Sequence, residues 1–507
     1  MIIANIGFWI VWACIALYFL RPGWARVAQI SVVAGLLLWA AGILTGTHGW
    51  SSFFGQAFLG LILMGFTSAA LLLARRQASL RAPIVIGAWA LTVLAQWLFG
   101  LGLDHSPVAT TAPSIEVDAS GELLVELRPS TLADPSAWEA WVAARGCTTR
   151  PAFQPEDPGI TELDDYYLLD VPETANWSAI MAALEATDLA DWVEPNEMIT
   201  VAPSPARTVP EPNRRLGVND PGVSQQWALD ALQMDQLYQL LERDGVQPRK
   251  QALIAVLDTG VDARHEDLAG NYRSTKKDYD TDPRGHGTHC AGIIGAVTNN
   301  GRGIASYARR NDFFRITSIQ VLKAGGSGTQ QSVIAGMLEA ADRGADVLSM
   351  SLGGFSTQSR QRAYTQAVEY VTKKGGIVVA AAGNSNRNAT SFAPVNATGV
   401  IGVSAIDQEL NRAVFSNYVG DLAMGLAAPG VGIYSTMPNN NYQAQNGTSM
   451  AAPYVSGVIG LMRSLRPELT ARQAYEILRR TGKATRDARN TGPLIQPYQA
   501  VRELVGQ

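Results

Sequence analysis

The stretch Asn446-Gly-Thr-Ser-Met-Ala-Ala-Pro453 decides how the rest of this 507-residue chain is read. A serine sits among small residues, an Asn-Gly turn precedes it, and an apolar run, 450–462, follows. Gly447 lets the backbone turn tightly. The apolar run starts a helix, whose free N–H groups and positive dipole end then lie beside Ser449. A negative charge developing on a bound carbonyl is stabilised at such a place. Alone, the stretch reads as a Ser/Thr cap on a buried helix, and it takes two segments upstream to say otherwise.

From about residue 225 to 507, short apolar runs alternate with helical spacing. The runs are 252–257, 316–321, 347–350, 377–381 and 400–403, with helical stretches such as 331–342 and 359–373 between them. This alternation predicts an α/β domain, a parallel sheet with helices on both faces, and sites in such sheets form at the carboxyl ends of the strands. Asp258 stands at one such end, after Ile254-Ala-Val-Leu257, where an acid is costly to bury without a partner. His286 opens a helix in Arg284-Gly-His-Gly-Thr-His-Cys-Ala-Gly292. Of the five histidines, His48 and His105 lie at the edges of apolar runs and His265 in a polar turn, which leaves His286 and His289 as candidate bases. Their His-x-x-His spacing lacks nearby Cys or Glu ligands, so no metal site is expected.

An acid, an imidazole and a hydroxyl in the order Asp, His, Ser match the chain order of subtilisin. The blocks Asp258-Thr-Gly, His286-Gly-Thr-His and Gly447-Thr-Ser-Met-Ala-Ala-Pro453 resemble the three signature blocks of the subtilases, the subtilisin-like serine peptidases, over roughly 215–505. The resemblance implies a subtilisin-like fold and peptide hydrolysis through an acyl-enzyme. It casts Ser449 as nucleophile, His286 as general base and then acid, Asp258 as the group that holds the imidazole, and His289 as structural. Ala380-Ala-Ala-Gly-Asn384 resembles the oxyanion block, with Asn384 donating beside the Ser449 N–H. Ser351-Leu-Gly-Gly354 (Ser351, Leu352, Gly353, Gly354) resembles the strand beside the S1 pocket, and Gly326, Ser327 and Gly328 resemble the segment that pairs with substrate on the S2–S4 side. A substrate adding there as an extended strand needs close backbone approach, which suits glycine. No cofactor is required for the chemistry. Structural calcium is common in the family, yet the turn Thr298-Asn-Asn-Gly-Arg-Gly303 supplies no carboxylate cluster to place it. Tyr454 follows the signature proline where many subtilases have His, and the segment between Asn384 and Val403 is short compared with secreted bacterial subtilisins.

Residues 105–202 read as a small α+β module behind a short linker, 105–114. Strands are predicted at 122–127, 165–171 and 192–201 and helices at 136–144 and 177–186, a β-α-β-β-α-β or ferredoxin-like plan. The module resembles the subtilase propeptide, with Val193-Glu-Pro-Asn196 typical of its end. That resemblance implies a folding aid and inhibitor whose tail lies in the active-site cleft. A Pro-rich linker, 203–224, follows, and self-cleavage is expected between about 202 and 218.

Residues 1–104 differ from everything after them. Four uncharged apolar runs, near 2–20, 28–46, 55–73 and 83–103, are each long enough to cross a bilayer, which takes about 20 residues. Arg21 and Arg26 follow the first run, and Arg75, Arg76 and Arg81 the third, while the connection at 47–50 has no Lys or Arg. The positive-inside rule puts the Arg-bearing loops in the cytoplasm and everything after 104 outside. The first run lacks the basic n-region of a cleaved signal peptide. No charge lies within the runs, so the lipid bilayer is an anchor rather than a transport route. The expected location is a bacterial plasma membrane with the peptidase domain in the periplasm. The chain carries 40 Lys and Arg against 44 Asp and Glu, a balance without a nucleic-acid surface. Three cysteines give no disulfide framework; Cys147 and Cys290 read as buried free thiols. The rival reading is a latent peptidase fold that only binds peptides while its membrane region binds a partner.

Overall fold

The structure is a computed structural model that describes residues 116–201, 203–205, 216–243, 245–356 and 361–506. The four apolar runs of 1–104 lie outside the described residues, among which no helix is long and apolar enough to cross a membrane.

The first element is β1 (Leu123–Leu127), followed by α1 (Ser136–Ala144), β2 (Thr148–Pro151), β3 (Tyr166–Asp170), α2 (Trp177–Glu185) and β4 (Ala190–Pro195). The sheet order is β2-β3-β1-β4, with every neighbour antiparallel, the split βαβ arrangement. Strand alternation gives β1 two apolar faces. Leu123, Val125 and Leu127 pack on Trp138, Trp141 and Leu184 of the module's own helices. Leu124, with Leu168, turns the other way and joins a core built mainly from later residues. β2, Thr-Thr-Arg-Pro, is exposed throughout and shows no apolar alternation, which is why only three strands were legible here. The expected last strand, 192–201, is two: β4 and β5 (Met198–Thr200). The chain leaves the module's sheet after Pro195, where Asn196 and Glu197 engage the following domain. Asn196 Oδ1 accepts from Gln331 N at 3.0 Å, and Glu197 accepts from Ser356 Oγ at 3.0 Å.

After β6 (Ser204–Pro205) come the strands of a six-stranded sheet, β7 (Ala252–Asp258), β8 (Phe314–Gln320), β10 (Val347–Met350), β12 (Ile377–Ala381), β14 (Ile401–Ile406) and β15 (Gly425–Pro429). Their order is β15-β14-β12-β10-β7-β8, parallel throughout. Helices α3 (Met234–Arg243), α4 (His286–Gly295), α5 (Gln330–Asp342), α6 (Arg362–Lys373) and α7 (Thr448–Leu465) accompany it. Alternate residues of each strand serve opposite layers. Ile254, Val256, Val347 and Val379 share a core with Met450, Val455 and Ile459 of α7. Ala255, Leu257, Leu348 and Val378 share one with Val333 and Met337 of α5 and Tyr364 and Val368 of α6. Burial on both faces explains the unbroken apolar runs seen in the sequence. The same α5–α6 layer receives Leu124 and Leu168 from the module. Short antiparallel pairings complete the frame: β9 (Ser327–Thr329) with β5, β11 (Gly354–Phe355) with β13 (Phe392–Ala393), and β16 (Ile433–Met437) with β17 (Asn441–Asn446), which leads into α7.

Candidate active site

Asp258 ends β7 with no exposed surface. Its neighbour in space is the first turn of α4, reached through Gly285, whose φ of 85° is left-handed. A Cβ on Gly287 would lie 2.1 Å from Gly260 O and 3.0 Å from Asp258 Cβ. Only glycine lets α4 come this close to the end of β7. His286 is thereby brought to the acid: its Nδ1 lies 2.7 Å and 2.9 Å from the two carboxylate oxygens. The opposite ring nitrogen, Nε2, is buried and has no hydrogen-bond partner among the described residues. A carboxylate that holds the Nδ1 proton leaves Nε2 as the basic lone pair.

Asp282, a residue the sequence reading passed over, holds this turn together. It accepts from Thr259 Oγ1, Gly285 N, Thr288 N and Thr288 Oγ1, each at 2.8 Å. It stood in the sequence as one polar loop residue among several, and only its position in Asp282-Pro-Arg-Gly-His286 hinted at a role. His289 is tied to another strand; its Nε2 lies 3.0 Å from Gln443 O. Burial, opposed by that bond, pushes its pKa down to about 3, so it stays neutral and structural.

Ser449 is the second residue of α7. Its Oγ donates to Ser351 O at 3.1 Å. Its carbonyl accepts from Ser351 Oγ at 2.7 Å and from the Cys290 thiol at 3.5 Å. Cys290, predicted only as a buried thiol, thus helps seat the start of α7; burial, and then the Asp258 charge, push its pKa up. Asn384 follows β12, and its Oδ1 accepts from Thr448 N and Thr448 Oγ1, both at 2.9 Å. The carbonyl side of the amide is thereby tied to the helix start beside Ser449. Asp258, His286, Asn384 and Ser449 come from the ends of β7 and β12 and the starts of α4 and α7. They converge at the carboxyl edge of the sheet.

The expected substrate-binding segments also converge, and they are in use. Met198, Ile199 and Thr200 of β5 lie opposite Thr329, Gly328 and Ser327. On that side Val201 N also donates to Gly326 O at 3.1 Å; on the other side Thr200 bridges Gly353, its N donating to Gly353 O at 3.4 Å. A Cβ on Gly354 would stand 2.8 Å from Met198 O. Leu352 is buried, and Ser351 touches Ser449 as described. The chain's own residues 198–201 therefore run as an extended strand between the two segments.

The turn at 298–303 has no acid of its own, but two distant carboxylates face it. Asp220 accepts from Asn299 N at 2.7 Å and Asn300 N at 3.0 Å. Asp267 accepts from Asn300 Nδ2 and Ile304 N, each at 2.8 Å. Two carboxylates from distant segments therefore converge on this glycine-rich turn, which the local sequence did not reveal.

An imidazole oriented by a buried acid, a hydroxyl at a helix start and an extended strand held between glycine-rich segments are the parts a peptide-cleaving serine hydrolase uses. The profile of the subtilase family matches residues 249–495. Thermitase from Thermoactinomyces vulgaris is 43% identical over 252 residues, 48% of this chain and 85% of that protein. The thermophilic serine proteinase of Bacillus sp. (strain AK1) is 36% identical over 61% of this chain and 72% of its own length. Among solved structures, a protease from Pseudoalteromonas arctica superposes with a TM-score of 0.50 at 28% identity, covering 57% of this chain and 99% of that one. The chain belongs to the subtilase family and is a serine endopeptidase.

Proposed function

We propose that this endopeptidase is membrane-anchored, that Asp258, His286 and Ser449 carry its chemistry, and that the 105–202 module occupies the cleft until displaced. Ser449 Oγ attacks the substrate carbonyl as His286 Nε2 takes its proton, and Asp258 stabilises the imidazolium through Nδ1–H. The oxyanion is met by the Ser449 N–H and the Asn384 amide at the start of α7. His286 returns the proton to the leaving amine, and water then releases the acyl-enzyme by the same route in reverse. The observation that carries this reading is the paired contact of 2.7 and 2.9 Å between His286 and Asp258, with the other ring nitrogen left open. Ser449 Oγ must swing from Ser351 O to reach it, a looseness common before substrate binds.

The module's role as propeptide and inhibitor is supported by the strand at 198–201 lying where substrate would. Anchoring and a periplasmic catalytic domain rest on the apolar runs and arginine loops of 1–104. Processing is placed between about 202 and 218. Structural calcium is assigned to the Asp220–Asp267 pair, and chelation should lower the melting temperature.

Wild-type and Ser449→Ala proteins, compared by fluorophosphonate labelling and by chain length in membrane and soluble fractions, test the reading. Wild type should label and be cut between about 202 and 218, whereas the variant should do neither and should stay full length in the membrane fraction. A wild type that neither labels nor hydrolyses peptides would make the fold a latent scaffold.

A further inference from the structure

Gly326 stands where the module's strand meets the turn before β9 and the loop that leads into His286. Its φ of 81° is left-handed, a conformation that favours glycine, and its carbonyl accepts from Val201 N at 3.1 Å. A Cβ on Gly326 would lie 3.1 Å from Val201 Cγ2 and 3.3 Å from Arg284 Nε, with Arg284 Cζ at 3.7 Å. The side chain at 201 and a guanidinium therefore border the same point. Val201 is buried at 6% exposure, and Arg284 is exposed. Arg309, Arg362 and Arg463 are each paired with an acid, but Arg284 has no ion-pair or hydrogen-bond partner among the described residues. The backbone that carries it is held from both sides. Pro283 has a fixed φ, Gly285 N donates to Asp282 at 2.8 Å, and His286 is bound to Asp258. The cation is in place beside the strand before any substrate arrives.

We propose that Arg284 makes this peptidase select substrates with Asp or Glu at the position the module fills with Val201. This rests on the reading above, in which the strand at 198–201 lies where substrate would, and it names the substrate class. Valine offers the guanidinium no acceptor. A carboxylate at the place of Val201 Cγ2, or one carbon beyond it, falls within reach of Arg284 and can take two of its N–H groups in a charge-assisted pair. Lysine at the same position sets like charges side by side, and glutamine has the length of glutamate without the charge. Because Arg284 is exposed, water and salt screen the pair, and its effect is about two- to fivefold rather than larger. The module's own choice of valine has a consequence for release. Its strand makes the backbone bonds to Gly326 and Gly353 but leaves the cation unanswered. A substrate that makes the same backbone bonds and also answers Arg284 gains an interaction the tail lacks, which favours exchange of the tail for an acidic substrate.

The test has two arms, both on the full chain. The first uses the Ser449→Ala protein, which needs no turnover, and reads hydrogen exchange of the 198–200 amides. Val201→Glu, Val201→Gln and Val201→Lys are compared with Arg284 present and with Arg284→Glu, so that each side chain's intrinsic effect on exchange cancels. With Arg284, glutamate should protect these amides about two- to fivefold more than glutamine and lysine less; with Arg284→Glu the order should reverse, and raised salt should shrink both contrasts. The second arm digests a peptide pool varied at each position with the active protein and locates the cuts by mass spectrometry. One position on the amino side of the cut should prefer Asp or Glu over Gln by the same factor and reverse in Arg284→Glu. Equal charge preference in both backgrounds overturns the proposal, and so does a uniform loss of hydrolysis with unchanged ratios, which would make Arg284 structural. A contrast in exchange without a matching position in the peptides overturns it too, because the strand would not share the substrate's path. A protein that cuts no peptide overturns the catalytic reading, and the exchange arm alone then decides whether Arg284 reads position 201.

Discussion

The six-stranded parallel sheet is covered on both faces by helices of its own domain, whereas the module's four-stranded sheet covers only one. Its helices α1 and α2 bury Leu123, Val125 and Leu127, but Leu124 and Leu168 are buried against a core centred on α5 and α6. The dependence is mutual. Glu194, at the end of β4, accepts from Arg362 N at 3.0 Å and Ala363 N at 3.3 Å at the start of α6. Asn196 does the same for Gln331 N at the start of α5. Arg362 returns the contact, donating to Glu126 at 2.7 Å. The module thus lends caps to two helices and borrows half of its core. The larger domain carries the proposed catalytic groups, and the module carries the strand at 198–201 that lies between residues 327–329 and Gly353.

The comparison is sharpest at the chemistry. Ser449→Ala should lower kcat by about 10⁶-fold, a magnitude taken from subtilisin, a relative of this chain, and so not an independent estimate. Docking of the module and the melting temperature should scarcely change, because the contacts of β5 with β9 and Gly353 do not involve the hydroxyl. Turnover of an added peptide and thermal unfolding, measured on the same preparation, check both halves. A large drop in melting temperature would mean that Ser449 is part of the scaffold rather than only of the reaction.

Next in size are two leucines in one core but on different sheets. Leu124 and Leu257 are both wholly buried. A buried unpaired carboxylate costs on the order of 3–5 kcal/mol. In Leu257→Asp that cost falls on the interior strand β7 that carries Asp258, and peptide hydrolysis should be abolished. In Leu124→Asp it falls on the docked module, and hydrolysis by the full chain should rise as the tail leaves the cleft. Loss of activity in both would show that the module is needed to hold the large domain folded, not only to cover it.

The same contrast explains what could be read from the sequence. β7, β8, β10 and β12 were legible because strands buried on both faces are continuous apolar runs, and the three signature blocks fixed Asp258, His286 and Ser449 by residue type and order. β15 is short and made of small residues, β17 is Asn-Tyr-Gln-Ala-Gln-Asn, and β2 is wholly exposed. None carries a period that distinguishes it from a loop. The break between β4 and β5 was hidden because it is made by partners far away in sequence, Gln331 and Ser356. Asp220 and Asp267 were missed as a pair for the same reason: they meet only through the 298–303 turn. Local pattern carried the strands and motifs, and the contacts between distant segments needed the fold.

Acidity should separate the two regions in opposite directions. Burial pushes His289 from 6.5 down to about 3. Between these values the unfolded chain binds a proton that the folded domain refuses, so the domain's stability is full above pH 6.5 and falls as the pH drops. Burial pushes Glu194 the other way, from 4.5 up to about 8, opposed by hydrogen bonds from Trp192, Ala363 and Arg362 and reinforced by the Glu197 charge. A docked module then holds a proton that a free one releases, so docking is strongest below pH 4.5 and weakens as the pH rises through 8. Each window carries at most about 1.4 kcal/mol per pH unit. Melting curves from pH 7 to 5 should fall, with the slope reduced in His289→Gln. Hydrogen exchange of the 198–201 amides should quicken from pH 6 to 8 beyond its intrinsic dependence, and Glu194→Gln should remove the excess. Parallel slopes in both measurements would mean that the two regions respond as one.

The smallest expected effect isolates the shared helix. The start of α5 is capped twice, by Thr329 of its own domain, which accepts from Ser332 N at 3.1 Å, and by Asn196 of the module, which accepts from Gln331 N at 3.0 Å. Each cap is worth about 1 kcal/mol, but they act on different equilibria. Thr329 stays with the helix whether or not the module is docked, so Thr329→Ala should lower the melting temperature of the domain and leave the fraction of open cleft nearly unchanged. Asn196 leaves with the module, and Gln331 N then turns to water. Its amide also donates to Gly121 O at 2.8 Å, so part of the loss in Asn196→Ala falls on the module's own turn, in the same direction. Asn196→Ala should therefore raise peptide hydrolysis by the full chain about fivefold, the equivalent of that 1 kcal/mol, at an unaltered domain melting temperature. If Thr329→Ala opened the cleft as much as Asn196→Ala did, the cap would belong to α5 alone, and the module would be held by its apolar face and strand pairing without help from the helix ends.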